Sequence, residues 1–294
     1  MCIRDSGSAA GSTTVYQGAE GVPAVNEAGD NFGGALAWGD VDGNGVSDLI
    51  VGSPTEDLGT IRDTGAITVL YGAATGSVDS SVVLHQDSRG VAGINEAGDG
   101  WGTSLASGDL NGDGYDDVLV GAPFEDVGSD VNAGAVTVLF GGPRGLSGAG
   151  SELIHQDSPG VPGVGEAGDG FGMSVAVAGA RSGTSTYVAI GSPWEDIENK
   201  TDAGAVTLLG TDSTGISNAS MLLYPGLERS GSRPAMPEFS RTDDRFGYRL
   251  AGVRTGDLVI GTPYGKVSGK LNACLLYTSP SPRDATLSRM PSSA

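Results

Sequence analysis

The sequence predicts an all-β fold of the β-propeller class, in which four-stranded antiparallel sheets repeat around a common axis. A block of roughly 70 residues recurs along the chain, and short β-branched or aliphatic runs alternate with glycine-rich breaks inside each block. Four such runs per block are typical of a propeller blade, because radial packing of blades buries both faces of every sheet. Glycine supplies 51 of the 294 residues, which favours an all-β repeat protein over a disordered chain.

The repeat is clearest in a glycine-rich loop that ends each time in an aromatic residue and a glycine. The closing dipeptides are Phe32-Gly33, Trp101-Gly102, Phe171-Gly172 and Phe246-Gly247, at intervals of 69, 70 and 75 residues. In the second block we predict strands at about 103–107, 118–121, 135–140 and 152–155. A calcium-binding β-roll would need a nine-residue period, which this chain lacks.

Two of the blocks carry an acidic loop directly before an apolar run. The loops are residues 40–48 and 109–117, and they lie at the same phase of the repeat. Each has oxygen-bearing side chains at its first, third, fifth and ninth positions and a glycine at its sixth. This is the opening of a calcium loop of the EF-hand type, closed early by aspartate. A hard cation needs six to eight oxygen ligands, so the chain must wrap around it.

We therefore predict two Ca²⁺ sites. The predicted ligands are Asp40, Asp42, Asn44, the backbone carbonyl of Val46 and Asp48 in the first loop, and Asp109, Asn111, Asp113, the carbonyl of Tyr115 and Asp117 in the second. The alternative is a Gly/Asn/Asp hairpin turn without an ion, but turn composition alone would not repeat at one phase. The third loop, residues 179–187, has no carboxylate, and the fourth block is shortened, so we expect two ions rather than four.

Composition excludes several other classes of function. The net charge of −20 argues against nucleic acid or an anionic membrane surface as a partner. No stretch approaches 18 consecutive apolar residues, so we expect no membrane insertion. Cys2 and Cys274 both lie outside the repeats, which leaves the repeat body without a disulfide or a thiol nucleophile.

Acidic pairs recur after a Gly-x-Pro element in three blocks. They are Glu56-Asp57, Glu125-Asp126 and Glu195-Asp196. Paired carboxylates can perform acid–base catalysis, but a catalytic pair is normally unique. We interpret these pairs as polar residues of hairpin loops, with room for contacts to a neighbouring blade.

Two histidines and two tryptophans were also weighed as binding residues. His85 and His155 occupy one repeat position, which favours a structural role at a strand end. Trp38 and Trp194 have no aromatic equivalents in our alignment of the blocks. Either could be an exposed binding anchor, but we expect ordinary packing.

The aromatic-glycine dipeptides and the Gly-x-Pro elements together resemble FG-GAP repeats. The Gly-x-Pro elements are Gly52-Ser53-Pro54, Gly121-Ala122-Pro123, Gly191-Ser192-Pro193 and Gly261-Thr262-Pro263. Such repeats form the seven-bladed propeller of integrin α subunits and of many bacterial secreted and surface proteins. The resemblance covers about residues 12–272 and implies that about four of seven blades are present. Their expected bounds are 24–88, 89–158, 159–226 and a partial 227–272. It also implies that the calcium loop lies between the first two strands of a blade.

The two ends of the chain do not follow the repeat. Residues 1–11 and 273–294 resemble translated sequencing-adapter read-through, so we expect non-native or disordered tails there. The start lacks the apolar segment of a signal peptide, and we interpret that absence as truncation. The resemblance implies an extracellular or cell-surface location.

The resemblance implies a calcium-binding adhesion or ligand-binding module without catalysis, whose partner is an unknown protein or glycan at the cell surface. Two alternatives remain open. The propeller could accompany a secreted hydrolase whose catalytic part is missing from this fragment, or it could be an architectural surface-layer or stalk component. A nucleophile–base set or a second metal site in the full-length gene would favour the hydrolase.

Overall fold

The computed structural model describes residues 2–3, 13–179, 186–226, 241–252, 257–265 and 275–279. These residues form seventeen strands, every pair of which is antiparallel, and none of them is helical. The first complete sheet contains β3 (Ala35–Gly39), β4 (Asp48–Ser53), β5 (Ala66–Gly72) and β6 (Val78–Leu84). The second contains β7 (Ser104–Gly108), β8 (Asp117–Ala122), β9 (Ala135–Leu139) and β10 (Glu152–Ile154). The third contains β11 (Ser174–Ala178), β12 (Tyr187–Ser192), β13 (Ala205–Asp212) and β14 (Gly215–Leu223).

A fourth sheet contains β15 (Arg249–Gly252), β16 (Leu258–Thr262) and β17 (Leu275–Ser279), and a short ribbon joins β1 (Cys2–Ile3) to β2 (Thr13–Thr14). Both β1 and β17 lie in the stretches that we expected to be tails. Strand β17 pairs with β16 in the register Leu258↔Ser279. The non-native origin of these stretches stays a prediction.

The sheets are arranged as propeller blades. Within each sheet the strands follow chain order, and the first strands β3, β7, β11 and β15 contact one another in succession. The first strand of each blade is therefore the innermost, and the sheets extend outward from a common axis. The propeller prediction is confirmed, and the four strands predicted in the second block lie within about one residue of β7–β10.

The hydrophobic cores lie between successive blades. One cluster joins Ile50 and Ile67 of the first blade to Trp101 and Val118 of the second, and two further clusters repeat the arrangement along the arc. The repeat pattern predicts that its four aromatic residues belong to the core. Trp101, Phe171 and Phe246 are fully buried, whereas Phe32 is only partly buried. Burying aromatic rings of this size is a large part of what holds blade to blade.

The glycines of the two repeat elements meet at the same interfaces. A Cβ built on Gly52 would lie 2.2 Å from the carbonyl oxygen of Gly102 in the next blade, and Gly121 has the same relation to Gly172 at 2.1 Å. Backbone therefore packs directly against backbone, with no room for a side chain. This contact gives a physical reason for a glycine in both the aromatic-glycine and the Gly-x-Pro elements.

Candidate functional site

The two acidic loops are the hairpins between the first and second strands of the first two blades. Pairing of Gly39 with Asp48, and of Gly108 with Asp117, closes each hairpin and brings its first and ninth positions together. Position two of each loop is an apolar anchor, since Val41 and Leu110 are buried in the cores between blades. Sequence reasoning missed these anchors, although an apolar residue at position two of both loops was visible.

In the first loop three carboxylates converge. Oxygens of Asp40, Asp42 and Asp48 all lie within 4.8 Å of one another. Asp48 is fully buried and accepts hydrogen bonds from the backbone N–H groups of Val41 and Gly72, both at 2.9 Å. Burial raises the pKa of Asp48, and the neighbouring aspartates raise it further.

One oxygen of the first loop has no hydrogen bond. Asp40 Oδ2 accepts from the Gly45 N–H at 3.0 Å, but Asp40 Oδ1 is buried and unpartnered among the described residues. Asn44 Oδ1 accepts from the Val46 N–H at 2.7 Å, and its Nδ2 donates to Asp42 Oδ2 at 3.0 Å. A buried orphan oxygen beside clustered carboxylates is the environment that a hard cation satisfies.

The second loop repeats much of this bonding, but its Asp109 Oδ1 accepts from the Gly112 N–H at 2.7 Å, so the unpartnered oxygen of the first loop has no counterpart. Among the described residues, only the first loop brings three carboxylates within 4.8 Å of one another. Asp109 Oδ2 accepts from the Gly114 N–H at 3.1 Å, and Asp113 Oδ1 accepts from the Tyr115 N–H at 3.0 Å. Asp117 is fully buried and accepts from the N–H groups of Leu110 and Gly141, both at 2.9 Å.

The second loop has the same number of carboxylates and amides available as metal ligands as the first loop. Burial raises the pKa of Asp117 to about 7, because the two N–H donors only partly offset the loss of hydration. Asn111 stands at position three and Asp113 at position five, the reverse of Asp42 and Asn44. Both loops therefore offer three carboxylates and one amide.

Residues 180–185 and 253–256, in the third and fourth hairpins, lie outside the described part of the chain.

The two loops contact each other across the blade interface. The Asp40 N–H donates to Asp116 Oδ2 at 2.9 Å, and the Asp116 N–H donates to the Asp40 carbonyl at 3.0 Å. A Cβ on Gly43 would lie 2.5 Å from the ring of Tyr115, so that ring lies directly against the first loop. Ordering one loop therefore constrains its neighbour.

Trp38 lies at this same end of the innermost strands. Its side chain is 53% exposed, so the expectation of ordinary packing was wrong for this residue. It lines a cavity of about 300 Å³ with Asp109 and Asp116, and its repeat equivalent in the second blade is Ser107.

At the opposite end of the sheets the acidic pairs divide into an inner and an outer carboxylate. Glu125 and Glu195 are buried, whereas Asp126 and Asp196 are exposed. Both glutamates lie in loops and contact the preceding blade, as the interpretation allowed, but their burial was not expected. Each glutamate accepts from a glutamine that follows the preceding blade, as in Gln86 Nε2 to Glu125 Oε2 at 2.5 Å. The same contact joins Gln17 to Glu56 and Gln156 to Glu195.

Burial raises the pKa values of these inner carboxyl groups. The pKa of Glu125 rises to about 7 and that of nearby Asp99 to about 6, in both cases chiefly through desolvation. In the third blade the pKa of Glu195 rises to about 8, because it is buried and faces Asp169, to which it is hydrogen-bonded. The same arrangement recurs in several blades, which favours a structural over a catalytic role.

The histidines form equivalent turns after the last strand of a blade. The His85 N–H donates to Ser88 Oγ at 3.0 Å, and the Ser88 N–H returns to the His85 carbonyl at 2.8 Å. His155 and Ser158 repeat both bonds. This local closure agrees with the structural role expected from the sequence.

Aromatic side chains follow the Gly-x-Pro elements in three blades. They are Phe124, Trp194 and Tyr264. The statement that Trp194 has no aromatic equivalent was therefore wrong, and counting from the proline of each element would have corrected it. Phe124 and Trp194 have ring centroids 6.4 Å apart, and Trp194 contacts Tyr248 at 6.3 Å.

The radial sheets and their repeated acidic hairpins define a repeat protein built from propeller blades. A family model described as FG-GAP repeat matches residues 32–70 and 101–139. The chain therefore carries FG-GAP repeats in these two segments and is similar to integrin α subunits.

Three of these relatives show the extent of the likeness. Integrin alpha-3 of Cricetulus griseus is 34% identical over 146 residues, which cover 47% of this chain and 12% of that protein. Integrin alpha-PS5 of Drosophila melanogaster is 31% identical over 168 residues, 56% of this chain and 15% of its own length. Integrin alpha-5 of Xenopus laevis is 30% identical over 178 residues, 55% of this chain and 16% of its own length. The matches thus span less than a fifth of each relative.

Among the residues that the structure describes, no helix has the length and apolar character needed to cross a membrane.

Proposed function

We propose that this chain is a calcium-binding extracellular β-propeller module that binds a protein or glycan at a cell surface and catalyses no reaction. The proposal of calcium binding rests on the first loop, where Asp40, Asp42 and Asp48 converge and one buried oxygen, Asp40 Oδ1, has no hydrogen-bond partner among the described residues. The similarity to integrin α subunits supports the proposed binding of a protein or glycan.

The residues proposed to hold the two ions are those predicted from the sequence. Asp40, Asp42, Asn44, the Val46 carbonyl and Asp48 would hold one, and Asp109, Asn111, Asp113, the Tyr115 carbonyl and Asp117 the other. Each ion supplies positive charge that offsets repulsion among three carboxylates. Because Asp48 and Asp117 also hold the backbone of Gly72 and Gly141, ordering a loop fixes the end of the third strand.

The proposed role of calcium is therefore to rigidify the blades and their interface. For Kd values of about 10⁻⁴–10⁻³ M, as in extracellular modules, about 10 mM Ca²⁺ would stabilise the fold by about 1.4–2.7 kcal/mol per site. The proposed extracellular location rests on the similarity to integrin α subunits, and sites of this affinity would be filled by extracellular but not by cytosolic calcium.

Thermal unfolding of the full chain tests this function, with Ca²⁺, Mg²⁺ or chelator. We expect a calcium-selective rise in the unfolding midpoint that Asp42→Ala/Asp113→Ala loses. The control Glu27→Ala/Glu96→Ala removes two exposed acids that precede the first strands, at the opposite end of the sheets, and should keep the rise. An equal rise with Mg²⁺, no rise, or a rise that the loop variant retains would contradict calcium binding at these loops.

A further inference from the structure

The face of the propeller opposite the acidic hairpins carries a row of aromatic rings. The acidic hairpins precede the second strand of a blade, whereas the Gly-x-Pro elements follow it, so the two lie at opposite ends of the sheet. We define the aromatic strip as Phe124, Trp194, Tyr248 and Tyr264. Successive ring centroids are 6.4, 6.3 and 5.7 Å apart, and the strip crosses from the second blade to the fourth.

Two positions of the repeat determine which residue follows Gly-x-Pro and which residue faces it. One is the residue before the repeat aromatic, and the other is the residue after Gly-x-Pro. The pairs are Asn31 with Thr55, Gly100 with Phe124, Gly170 with Trp194, and Arg245 with Tyr264. In the fourth pair the guanidinium of Arg245 lies 4.6 Å from the Tyr264 ring centroid, so that ring already has a cation over it.

The second and third pairs have glycine in place of that side chain. A Cβ on Gly170 would lie 2.4 Å from the Trp194 ring, and one on Gly100 would lie 3.3 Å from Phe124. The Trp194 ring could not occupy its position beside a larger residue. The two glycines thus leave space for the rings of Phe124 and Trp194 in adjacent blades. Phe124 is 39% exposed.

Both of these rings line a pocket of about 370 Å³. Its size is within the range of small-molecule sites. Its polar lining includes the carboxylates of Glu166, Asp196 and Asp202 and the amide of Asn132. The carboxylates accept but do not donate hydrogen bonds, so they favour a ligand rich in donors and repel anions.

We propose that the aromatic strip binds a chain of uncharged sugars, with the pocket lined by Phe124 and Trp194 as the principal subsite. This inference rests on the proposed ligand-binding function and names its surface and its ligand class. Sugar rings present apolar C–H faces to aromatic rings and hydroxyl donors to carboxylates. The Phe124 and Trp194 rings are tilted by only 35° to each other, so successive sugar units can contact both, whereas the next two rings of the strip meet their neighbours edge-on at 80°.

A basic peptide is the competing ligand, since cations also bind aromatic faces. In the fourth blade, however, the chain supplies its own cations. Arg245 lies over Tyr264, and Arg249 lies 4.7 Å from the Tyr248 centroid. These arginines leave Phe124 and Trp194 as the rings of the strip that a ligand can contact. A single cation would use only one of these two rings, so two adjacent rings beside an acceptor-rich pocket favour the sugar chain.

The full chain, in calcium, should be screened on an array of neutral, amino and sulfated oligosaccharides. The strongest neutral binder should then be titrated calorimetrically, with hexa-arginine as the peptide probe. We expect a neutral oligosaccharide to bind and Trp194→Ala or Phe124→Ala to weaken it at least about tenfold, as for buried aromatic anchors. Trp38→Ala removes an exposed tryptophan from the other end of the strands and should leave affinity unchanged.

Three results would overturn the assignment: no neutral oligosaccharide binds, one binds independently of Trp194 and Phe124, or hexa-arginine alone binds through those residues. The last result would make the strip a basic-peptide site. Calcium-dependent unfolding separates the two proposals. If calcium stabilises the chain and sugars do not bind, only the sugar assignment fails.

Discussion

Replacing Glu125 by glutamine should stabilise the protein at pH 8 and change little near pH 4.5. Glu125 is 4% exposed, and it accepts from Gln86 Nε2 while Asp99 lies nearby. The Oε1 atom of Gln86 is buried without a partner among the described residues. Glutamine keeps the shape of Glu125, retains an acceptor for Gln86 Nε2 and adds an N–H group that could reach the orphan oxygen.

The size of the effect follows from the pKa of Glu125, which burial raises from 4.5 to about 7. The folded state holds the proton more tightly than the unfolded state. The stability contributed by protonation is therefore fully present below pH 4.5 and is lost as the pH rises through 7. At about 1.4 kcal/mol per pKa unit, the loss is about 3 kcal/mol. The glutamine variant has no proton to lose, so its advantage grows over the same pH range.

The assay is urea unfolding at several values between pH 4.5 and 8, at one fixed calcium concentration, followed by tryptophan fluorescence. Asp126→Asn is the matched control. Asp126 is the exposed neighbour of Glu125, and its Oδ1 accepts from the Asn132 N–H at 2.8 Å. The control should show no comparable gain at high pH. An equal gain at pH 4.5 and 8, or a loss of stability at pH 8, would refute the claim that burial raises the pKa of Glu125.

Two further changes probe the blade interface. Gly65→Ala should lower the free energy of unfolding by more than about 2 kcal/mol, because its Cβ would lie 2.1 Å from the carbonyl oxygen of Trp101 at a φ of +89°. Gly59→Ala, at a φ of +64° with open space around its Cβ, should lower it by about 1 kcal/mol. Comparable thermal midpoints for the two variants would contradict this difference. Trp101→Phe should cost about 1–3 kcal/mol in urea unfolding, because it removes the 3.0 Å hydrogen bond from Trp101 Nε1 to Thr137 Oγ1 and leaves that buried hydroxyl unpaired. Adding Thr137→Val should recover part of the loss, and an unchanged deficit would show that ring volume alone matters.

The backbone arrangement was accessible from sequence because the same pattern occurs several times. An isolated run such as 135–139 could belong to many folds. Its return at one phase of the repeat, after a turn and a Gly-x-Pro element, fixed its place in a blade. The repeat also predicted the burial of Trp101, Phe171 and Phe246, since one aromatic per blade must fill one interface per blade.

The burial of Glu125 and Glu195 could not be predicted from the local sequence, because their hydrogen-bond partners are distant along the chain. Glu125 reads as half of a solvated acidic pair, and only contact with Gln86, 39 residues earlier, shows that it is buried. A signal did exist, because Gln17 and Gln156 stand at the same interval before Glu56 and Glu195. The interval that pairs two residues differs from the repeat period, so aligning the blocks did not bring it out.

The aromatic strip shows why repeat positions that vary carry more functional information than those that stay constant. Backbone hydrogen bonds from Trp194 to Asp169 and from Gly204 to Glu195 hold the loop after Gly-x-Pro in the third blade. The residue after the proline changes from Thr55 to Phe124 to Trp194 while the four-stranded sheet is kept. The position facing it is asparagine beside the threonine and glycine beside the phenylalanine and the tryptophan, whereas in the fourth blade an arginine lies over the tyrosine ring. Packing within a blade does not require this paired variation, and this is the physical reason to assign ligand recognition to this face.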